Sequence, residues 1–442
     1  MQTVITNTSY AKTAELLETE YSKLSADGCF FALVQTEYDE KGNVVHDFLD
    51  VIATATTCGY EYVNTIVYPF FVQQVAFIDN VKYVVWLCKK HSAMKFNKDA
   101  IREKHIWKDV EWGKRAKNYN PKGKDPGNVW IPTEDDGSAN ITEHIMLGDD
   151  GVIARILDMS DCGQDYLLVQ DTPQLTSIQK THLSANAQRI APSTSKVVFG
   201  SSENMADVAD RSVKLVVTSP PYWNLKDYFK EGQIGQESYE TYLDRMKTVW
   251  TQCFAKLADD GSLWININIR VQNGRVITIP HDFVKMCREI GFFYKGIIIW
   301  HKSSGIPTGD KNIVDRHEYV LVFSKNEDFM VDHAVFSEFE DYKNAQMNGG
   351  AFWNINRKAG SVGKKYIHPA IYPNDLVARI VKTTTVVGDV ILDPFLGSGT
   401  SIIAAEQYGR KCIGYEFNEG FEELIRSRFG KEIPDSNIEF LR

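Results

Sequence analysis

The chain has no C-x-x-C pair, no apolar run long enough for a bilayer, no basic-then-apolar stretch among its first residues and no excess of positive charge. Its seven cysteines (Cys29, Cys58, Cys88, Cys162, Cys253, Cys287, Cys412) are scattered and odd in number, which argues against a disulfide framework and against a zinc site. They read as buried thiols, and no metal is expected. A membrane-spanning helix needs about 18 consecutive apolar residues, and none occurs. Met1-Gln-Thr-Val-Ile-Thr6 carries no basic region followed by an apolar stretch, so neither membrane insertion nor secretion is signalled and a cytosolic protein is expected. A net charge of −9 does not describe a protein that coats nucleic acid, yet DNA binding depends on where positive charge is concentrated. With 442 residues, 43% apolar and 24% charged, the chain has the composition of a soluble protein with room for two or three domains.

An internal near-repeat is visible. From Ser9-Tyr10 the chain reads a helical stretch, Ala26-Asp-Gly-Cys-Phe-Phe31, a Lys41-Gly-Asn43 turn, a helix and Cys58-Gly-Tyr-Glu-Tyr62. From Ser238-Tyr239 the same succession reads Asp259-Asp-Gly-Ser-Leu-Trp264, Asn273-Gly-Arg275, a helix and Ile290-Gly-Phe-Phe-Tyr294. Both run on through a β-rich pair and end near a glycine and a tryptophan, Gly127 to Trp130 and Gly350 to Trp353. Counting back from Ser9, a counterpart of Tyr222 would run off the chain, so the first copy cannot assemble a complete site. The expected organisation is a degenerate half-domain over 1–135, a connector over 136–195 with a little strand content around Gly151 to Val169, and a catalytic domain over 196–442.

In the second copy, short apolar runs alternate with helical stretches, which implies an α/β fold: a doubly wound, mainly parallel sheet with covering helices. Ligands of such sheets sit at the carboxyl ends of the strands. Two motifs fall there. In the first, Val390-Ile-Leu392 leads into the turn Asp393-Pro-Phe-Leu-Gly-Ser-Gly-Thr400 and then a helix. Gly397 and Gly399 let backbone approach a ligand, and free amides at the helix start can meet polar or negative groups. Glu416, at the end of the next apolar run, can accept hydrogen bonds from both hydroxyls of a ribose. The third glycine expected for a pyrophosphate is missing, which disfavours a nicotinamide-dependent oxidoreductase, and so is the lysine of a P-loop. A cofactor with ribose and no phosphate fits, namely S-adenosylmethionine.

The second motif, Thr218-Ser-Pro-Pro-Tyr-Trp223, ends the apolar run Val213 to Val217. Two prolines hold Ser219 and Pro220 extended and remove two backbone donors, leaving carbonyls and the Ser219 hydroxyl as acceptors. Such a row suits an exocyclic amine, a poor nucleophile until its lone pair is drawn out of conjugation with the ring. Tyr222 offers a ring for a planar base to stack on, and Trp223 can extend it; the base must leave the duplex to reach them. No Gly-x-Ser-x-Gly elbow surrounds Ser219, so it is not read as a covalent nucleophile.

Together these residues resemble the amino-methyltransferases of DNA, which methylate cytosine N4 or adenine N6, and the order of loop before glycine turn resembles their beta group. The resemblance covers about 199 to 430, including Lys364 to Pro373. It implies that Ser219, Pro220, Pro221 and Tyr222 hold the target base, and that Asp393, Phe395, Gly397, Ser398, Gly399, Thr400 and Glu416 hold S-adenosylmethionine. A serine at the first loop position goes mostly with cytosine N4, so the expected activity is site-specific cytosine-N4 methylation of double-stranded DNA. Adenine-N6 methylation and a catalytically inactive DNA-binding module remain as alternatives. One departure is Phe199-Gly-Ser-Ser202, where the family usually has an Asp after the glycine. In the first copy, 95–124 carries ten Lys or Arg against four Asp or Glu, among Trp107, Trp112 and Tyr119. Lys114, Arg115, Lys117, Lys122 and Lys124 could there neutralise phosphates. The resemblance also implies a prokaryotic or phage source, and leaves open an accompanying restriction endonuclease and the oligomeric state.

Overall fold

A computed structural model describes residues 1–69, 81–102, 122–123, 125–130, 148–171, 194–224, 230–272, 274–302, 312–328, 331–332, 335, 338, 350–356 and 373–442. The first unit runs β1 (Thr3–Asn7), α1 (Tyr10–Glu20), β2 (Cys29–Val34), the hairpin β3 (Glu37–Tyr38) and β4 (Val44–His46), α2 (Phe48–Thr57), β5 (Glu61–Pro69), β6 (Val81–Cys88), α3 (Asp149–Ser160) and β7 (Tyr166–Gln170). Its five-stranded sheet has the order β5-β6-β2-β1-β7. The second unit runs β8 (Ser195–Phe199), β9 (Val213–Thr218), α4 (Tyr239–Lys256), β10 (Leu257–Ile267), the hairpin β11 (Arg270–Gln272) and β12 (Arg275–Ile277), α5 (Ile279–Ile290), β13 (Phe293–His301), β14 (His317–Ser324) and β15 (Phe352–Asn354). It continues with α6 (Asn374–Thr384), β16 (Val390–Asp393), α7 (Thr400–Gln407), β17 (Lys411–Glu416), α8 (Glu422–Glu432) and β18 (Ile438–Leu441). These strands form a nine-stranded sheet of order β15-β13-β14-β10-β9-β16-β17-β8-β18. Only β14 runs antiparallel to its neighbours, β10 and β13, so the sheet is the mainly parallel, helix-covered one expected from the alternation of the sequence.

The two sheets share a succession. In space, β5-β6-β2-β1-β7 and β13-β14-β10-β9-β16 follow the same chain order, with the same parallel and antiparallel pairings. Ser9 caps α1 and Ser238 caps α4, each side chain accepting from the backbone amide three residues on. Two expectations change. Residues Asp149–Gln170, read as part of a connector, form a helix and a strand that pairs in parallel with β1. The apolar spacing Val152, Ile153, Ile156, Met159 is helical, and those side chains are buried. The first unit also has a strand where β9 stands in the second; what it lacks is the loop. β1 reaches α1 through Thr8 and Ser9 alone, whereas β9 reaches α4 through 219–238.

The units pack through α2 and α5 and through polar contacts between them. Phe48 of α2 stacks on Tyr83 at 4.2 Å and lies 5.2 Å from Tyr319 across the junction. Arg288 donates to the Val44 carbonyl at 2.6 Å, and Lys295 to Asn43 Oδ1 at 2.7 Å. A short segment of the first unit also straps the approach to β14. The Asn128 amide donates to the Val314 carbonyl, and the Val314 amide to the Pro126 carbonyl, both at 2.9 Å.

Asp47 sits at the centre of this junction, buried, capping α2 by accepting from the Leu49 amide at 2.8 Å and from the Tyr294 hydroxyl at 2.7 Å. Burial, reinforced by Asp50, pushes its carboxyl from an ordinary 3.8 up to about 6. An acid raised in this way favours the fold below its unfolded value and loses that contribution as pH rises through about 6. At pH 8 the buried charge is therefore a cost. Asp47→Asn, which keeps a capping oxygen and lets the Tyr294 hydroxyl accept from the new amide, is expected to match or exceed the wild-type melting temperature at pH 8. Asp47→Ala, which loses the cap and strands the hydroxyl, should cost about 1–3 kcal/mol. Thermal denaturation of both variants checks this, and an Asn variant weaker than the Ala variant contradicts it.

Candidate active site

β9 and β16 are adjacent and parallel, with Leu215 opposite Ile391 and Val216 opposite Leu392. The chain therefore leaves both strands side by side at their carboxyl ends, and the Ser-Pro-Pro-Tyr loop meets the glycine turn. Asp393 joins them. It is wholly buried, and its carboxylate accepts from Thr218 Oγ1 at 2.7 Å, from the Phe395 amide at 3.0 Å and from the Ser401 hydroxyl. A carboxylate is acceptor-only, and here its oxygens face donors of the protein itself. Asp393, expected to hold the cofactor, is not among the residues that line the neighbouring cleft.

The cleft takes in about 830 Å³ of space, open solvent at its mouth included. Of the residues singled out in the sequence, Ser219, Pro221, Phe395, Gly397, Ser398, Thr400 and Glu416 line it, together with Gly200, Ser201 and Ser202. Glu416 is held by two backbone donors, the Gly397 amide at 2.9 Å and the Asn418 amide at 2.7 Å. Burial pushes its carboxyl up to about 7. Ser398 and Thr400 are fixed from α8: Arg428 Nη1 donates to Ser398 Oγ at 2.7 Å and to Thr400 Oγ1 at 3.0 Å. Gly397 and Gly399 both have positive φ, 56° and 88°, as a tight turn into a helix requires. Gly399, however, makes its close approach to protein rather than to the cleft, since a Cβ there would lie 2.6 Å from Phe429 Cε1.

On the loop side, Pro220 is buried, and the Pro221 carbonyl accepts from the Tyr242 hydroxyl at 2.8 Å, which removes one acceptor from the expected row. Tyr222 is half-buried and donates from its hydroxyl to Glu318 Oε2 at 3.1 Å. Trp223 is docked against the protein, its indole donating to the Glu237 carbonyl at 2.8 Å and its ring edge-on to Tyr239 at 5.0 Å.

The sequence reading missed several cleft residues. Arg245 of α4 grips Glu203 with two bonds of 3.0 and 2.7 Å, and Ser201 Oγ donates to the same carboxylate at 2.9 Å. An acid thus stands just beyond Phe199-Gly-Ser-Ser202, already engaged by an arginine. Lys230 donates to the Phe417 carbonyl at 2.7 Å and lies 4.7 Å from that ring. Arg245 and Lys230 carry no local signature, whereas Phe417 follows Glu416 directly. Of the basic segment, Lys122 is described and pairs with Asp99 at 2.5 Å. Lys114, Arg115, Lys117 and Lys124, with Trp107, Trp112, Tyr119 and 364–372, lie outside the described residues.

The profile of the N6/N4 family, described as DNA methylase, matches residues 213–427. Type II methyltransferase M.Cfr9I of Citrobacter freundii is 30% identical over 260 residues, 51% of this chain and 84% of that protein. The chain belongs to the N6/N4 DNA methylase family. Type II methyltransferase M.SmaI of Serratia marcescens is 28% identical over 53% of this chain and 90% of its own length. Among solved structures, a putative DNA modification methylase from Thermus thermophilus, complexed with S-adenosyl-L-methionine, shares 30% identity over 56% of this chain and 98% of its own, with a TM-score of 0.43. This methylase uses S-adenosylmethionine, and the cleft fits that cofactor by its chemistry. It offers a buried acid facing backbone amides, a glycine turn opening a helix, and no lysine positioned as a phosphate-binding loop would require.

The Gly399 contact yields a stability test. Gly399→Ala combines the strain of a side chain at φ 88° with overlap on Phe429, and should lower stability by more than about 1 kcal/mol. Adding Phe429→Leu should restore part of the loss by relieving the overlap. If the second change deepens the loss in thermal melts by the full amount of its own cost, the contact is not what forbids the side chain.

Proposed function

We propose that this methylase transfers the methyl group of S-adenosylmethionine to the N4 amine of a cytosine turned out of double-stranded DNA. The observation that carries this reading is the placement of Ser219 on the rim of the cleft that Phe395, Gly397 and Glu416 also line. A serine at the first loop position is the residue that goes mostly with cytosine N4 in the family. Bound S-adenosylmethionine supplies an electrophilic methyl group. Tyr222 supports the extruded ring from one side, and the Ser219 hydroxyl and Pro220 carbonyl accept from the amine. These acceptors turn its lone pair towards the methyl and favour the positive charge that grows on nitrogen during in-line transfer. The amine then gives up a proton to water. Glu416 takes the ribose hydroxyls, and Phe395, Gly397, Ser398 and Thr400 line the remainder of the cofactor site, whose turn Asp393 and Gly399 hold in shape.

In this reading catalysis belongs to the unit beginning near Ser195. The first unit, extended to Gln170 by its seventh strand, is a degenerate copy that lacks the base loop and serves DNA contact or support, with the basic segment around Lys114, Arg115, Lys117, Lys122 and Lys124 meeting phosphates and Trp223 near the extruded base. The relatives' designation as type II methyltransferases supports a companion restriction endonuclease and a cytoplasmic site of action in a prokaryote or phage.

Nucleoside mass spectrometry of DNA from cells expressing the chain is expected to show N4-methylcytosine, reduced at least about tenfold by Ser219→Ala. N6-methyladenine in its place overturns the assignment of the base. The cofactor reading has its own test, because ribose hydroxyls need the charged form of Glu416, whose carboxyl titrates at about 7. Calorimetric titration with S-adenosylhomocysteine should show affinity falling as pH drops below 7, towards about tenfold per unit. Glu416→Gln should bind more weakly, with a flatter profile. An unchanged profile in that variant places the titrating group elsewhere.

A further inference from the structure

Ser219 and Tyr222 rest on a buried polar network that no part of the loop's sequence announces. Glu318 on β14 receives three donors on its two oxygens. Lys302 Nζ donates to Oε1 at 2.8 Å, Asn266 Nδ2 to Oε2 at 2.9 Å and the Tyr222 hydroxyl to Oε2 at 3.1 Å. Lys302 and Glu318 are both largely withdrawn from solvent, their side chains 7% and 14% exposed, so the pair holds its geometry in a medium where charge is poorly screened. Asn266 extends the network to the loop, its Nδ2 lying 3.4 Å from both Ser219 Oγ and the Tyr222 hydroxyl. The strands enforce this meeting: Glu318 faces Trp300 across β13, Asn266 faces Val320 across β14, and Ile265 faces Thr218 across β9.

A carboxylate only accepts, so it dictates which end of the Asn266 amide faces it. Turning that amide over would set Oδ1 against Glu318. In the arrangement adopted, Oδ1 is buried without a hydrogen-bond partner, a cost that is retained while the N–H groups point at Glu318 and the loop. The fold does not itself require an acid here. At the matching position of the first unit, Lys82 of β6 faces Tyr68 of β5 and donates to Asp149 at 2.8 Å. There the base loop is missing, and the charge has the opposite sign.

We propose that Glu318 is the positioning residue of the base loop: anchored by Lys302, it fixes the Tyr222 hydroxyl and the Asn266 amide, and through them the Ser219 hydroxyl that meets the target amine. This rests on the reading that Ser219 and Tyr222 hold the target base, but not on which base it is. Glu318 touches neither cofactor nor reacting atoms in this role. Its loss displaces the acceptors, and a displacement near 1 Å is enough to cost about a hundredfold in rate.

The test is single-turnover transfer of labelled methyl groups from S-adenosylmethionine to unmodified DNA, read as total incorporation so that it does not depend on the base modified. Glu318→Gln should slow transfer at least tenfold, with the dissociation constant for S-adenosylmethionine within twofold of wild type. Lys302→Met with Glu318→Gln removes both buried charges together and keeps the question answerable if the single variant folds poorly; it should be equally slow. In a cycle with Tyr222→Phe, which keeps the stacking ring, the two losses should be less than additive. A rate within twofold of wild type in the double-charge variant, strictly additive losses, or a parallel loss of cofactor affinity each overturns the proposal. N6-methyladenine as the product would instead count against the cytosine assignment and leave the role of Glu318 standing.

Discussion

The buried carboxylate of Asp393 joins the two loops on which the site depends. It ties Thr218, the last residue of β9, to Phe395 and Ser401 in the turn after β16, across a separation of 175 residues. Each of these donors, left unmade in a dry interior, would cost about 1–3 kcal/mol, comparable to a substantial part of a domain's net stability. An asparagine at this position would bring two donors of its own to a site where the bonded neighbours already donate. The clamp therefore selects the acid, and it ties the loop that begins at Ser219 to the turn that contains Gly397. Preorganisation of this kind matters for methyl transfer because positioning of the reactants supplies so much of the rate.

The same chain succession carries a loop in one unit and omits it in the other. β9 opens into 219–238 before α4 begins, while β1 closes through Thr8 and Ser9 into α1. Without the loop, the polar contacts at that end of the first sheet are satisfied locally: Asn7 and Lys82 both donate to Asp149, and Tyr68 adds its hydroxyl. In the second unit Glu318, at the position of Lys82, instead accepts from the loop residue Tyr222. The first unit meanwhile grips the approach to β14 through Asn128, which also donates to Asp315 at 2.6 Å. The strand that bears Glu318 is thus framed by both units.

What was legible in the sequence follows the range of the forces involved. The glycine turn and the Ser-Pro-Pro-Tyr loop could be read because their conformations are set by the residues themselves, through positive φ and the rigidity of proline. The parallel sheet could be read because its strands are continuous apolar runs. Asp149–Ser160 was readable too, its buried residues falling at helical spacing, but the length of chain without a motif obscured it. The partners of Asp393, the grip of Arg428 on Ser398 and Thr400, the Arg245–Glu203 pair and the Glu318 network could not be read. Each joins residues from different elements, and no local rule assigns a side chain its distant partner. Gly399 shows the intermediate case. Its place in a tight turn is local and could be read, whereas the neighbour that fills the space beside it, Phe429, comes from another helix.

Three acids at this end of the sheet, two buried and Glu318 largely so, are stabilised in three ways, and the differences bear on their roles. Asp393 is surrounded by uncharged donors of the protein. Glu318 has a lysine at 2.8 Å. Glu416 has two backbone amides and only a weaker electrostatic influence from Lys230, and burial outweighs them all, raising its carboxyl to about 7. An acid so raised has not been fully compensated for the water it lost. Of these three it is also the one that lines the cleft, so a ligand can provide what the protein does not. Two hydroxyls donated by a ribose would supply that missing solvation, so cofactor binding and ionisation of Glu416 would reinforce each other. On the proposed function, the raised carboxyl would be the electrostatic counterpart of the open cleft, its last donors coming from the cofactor.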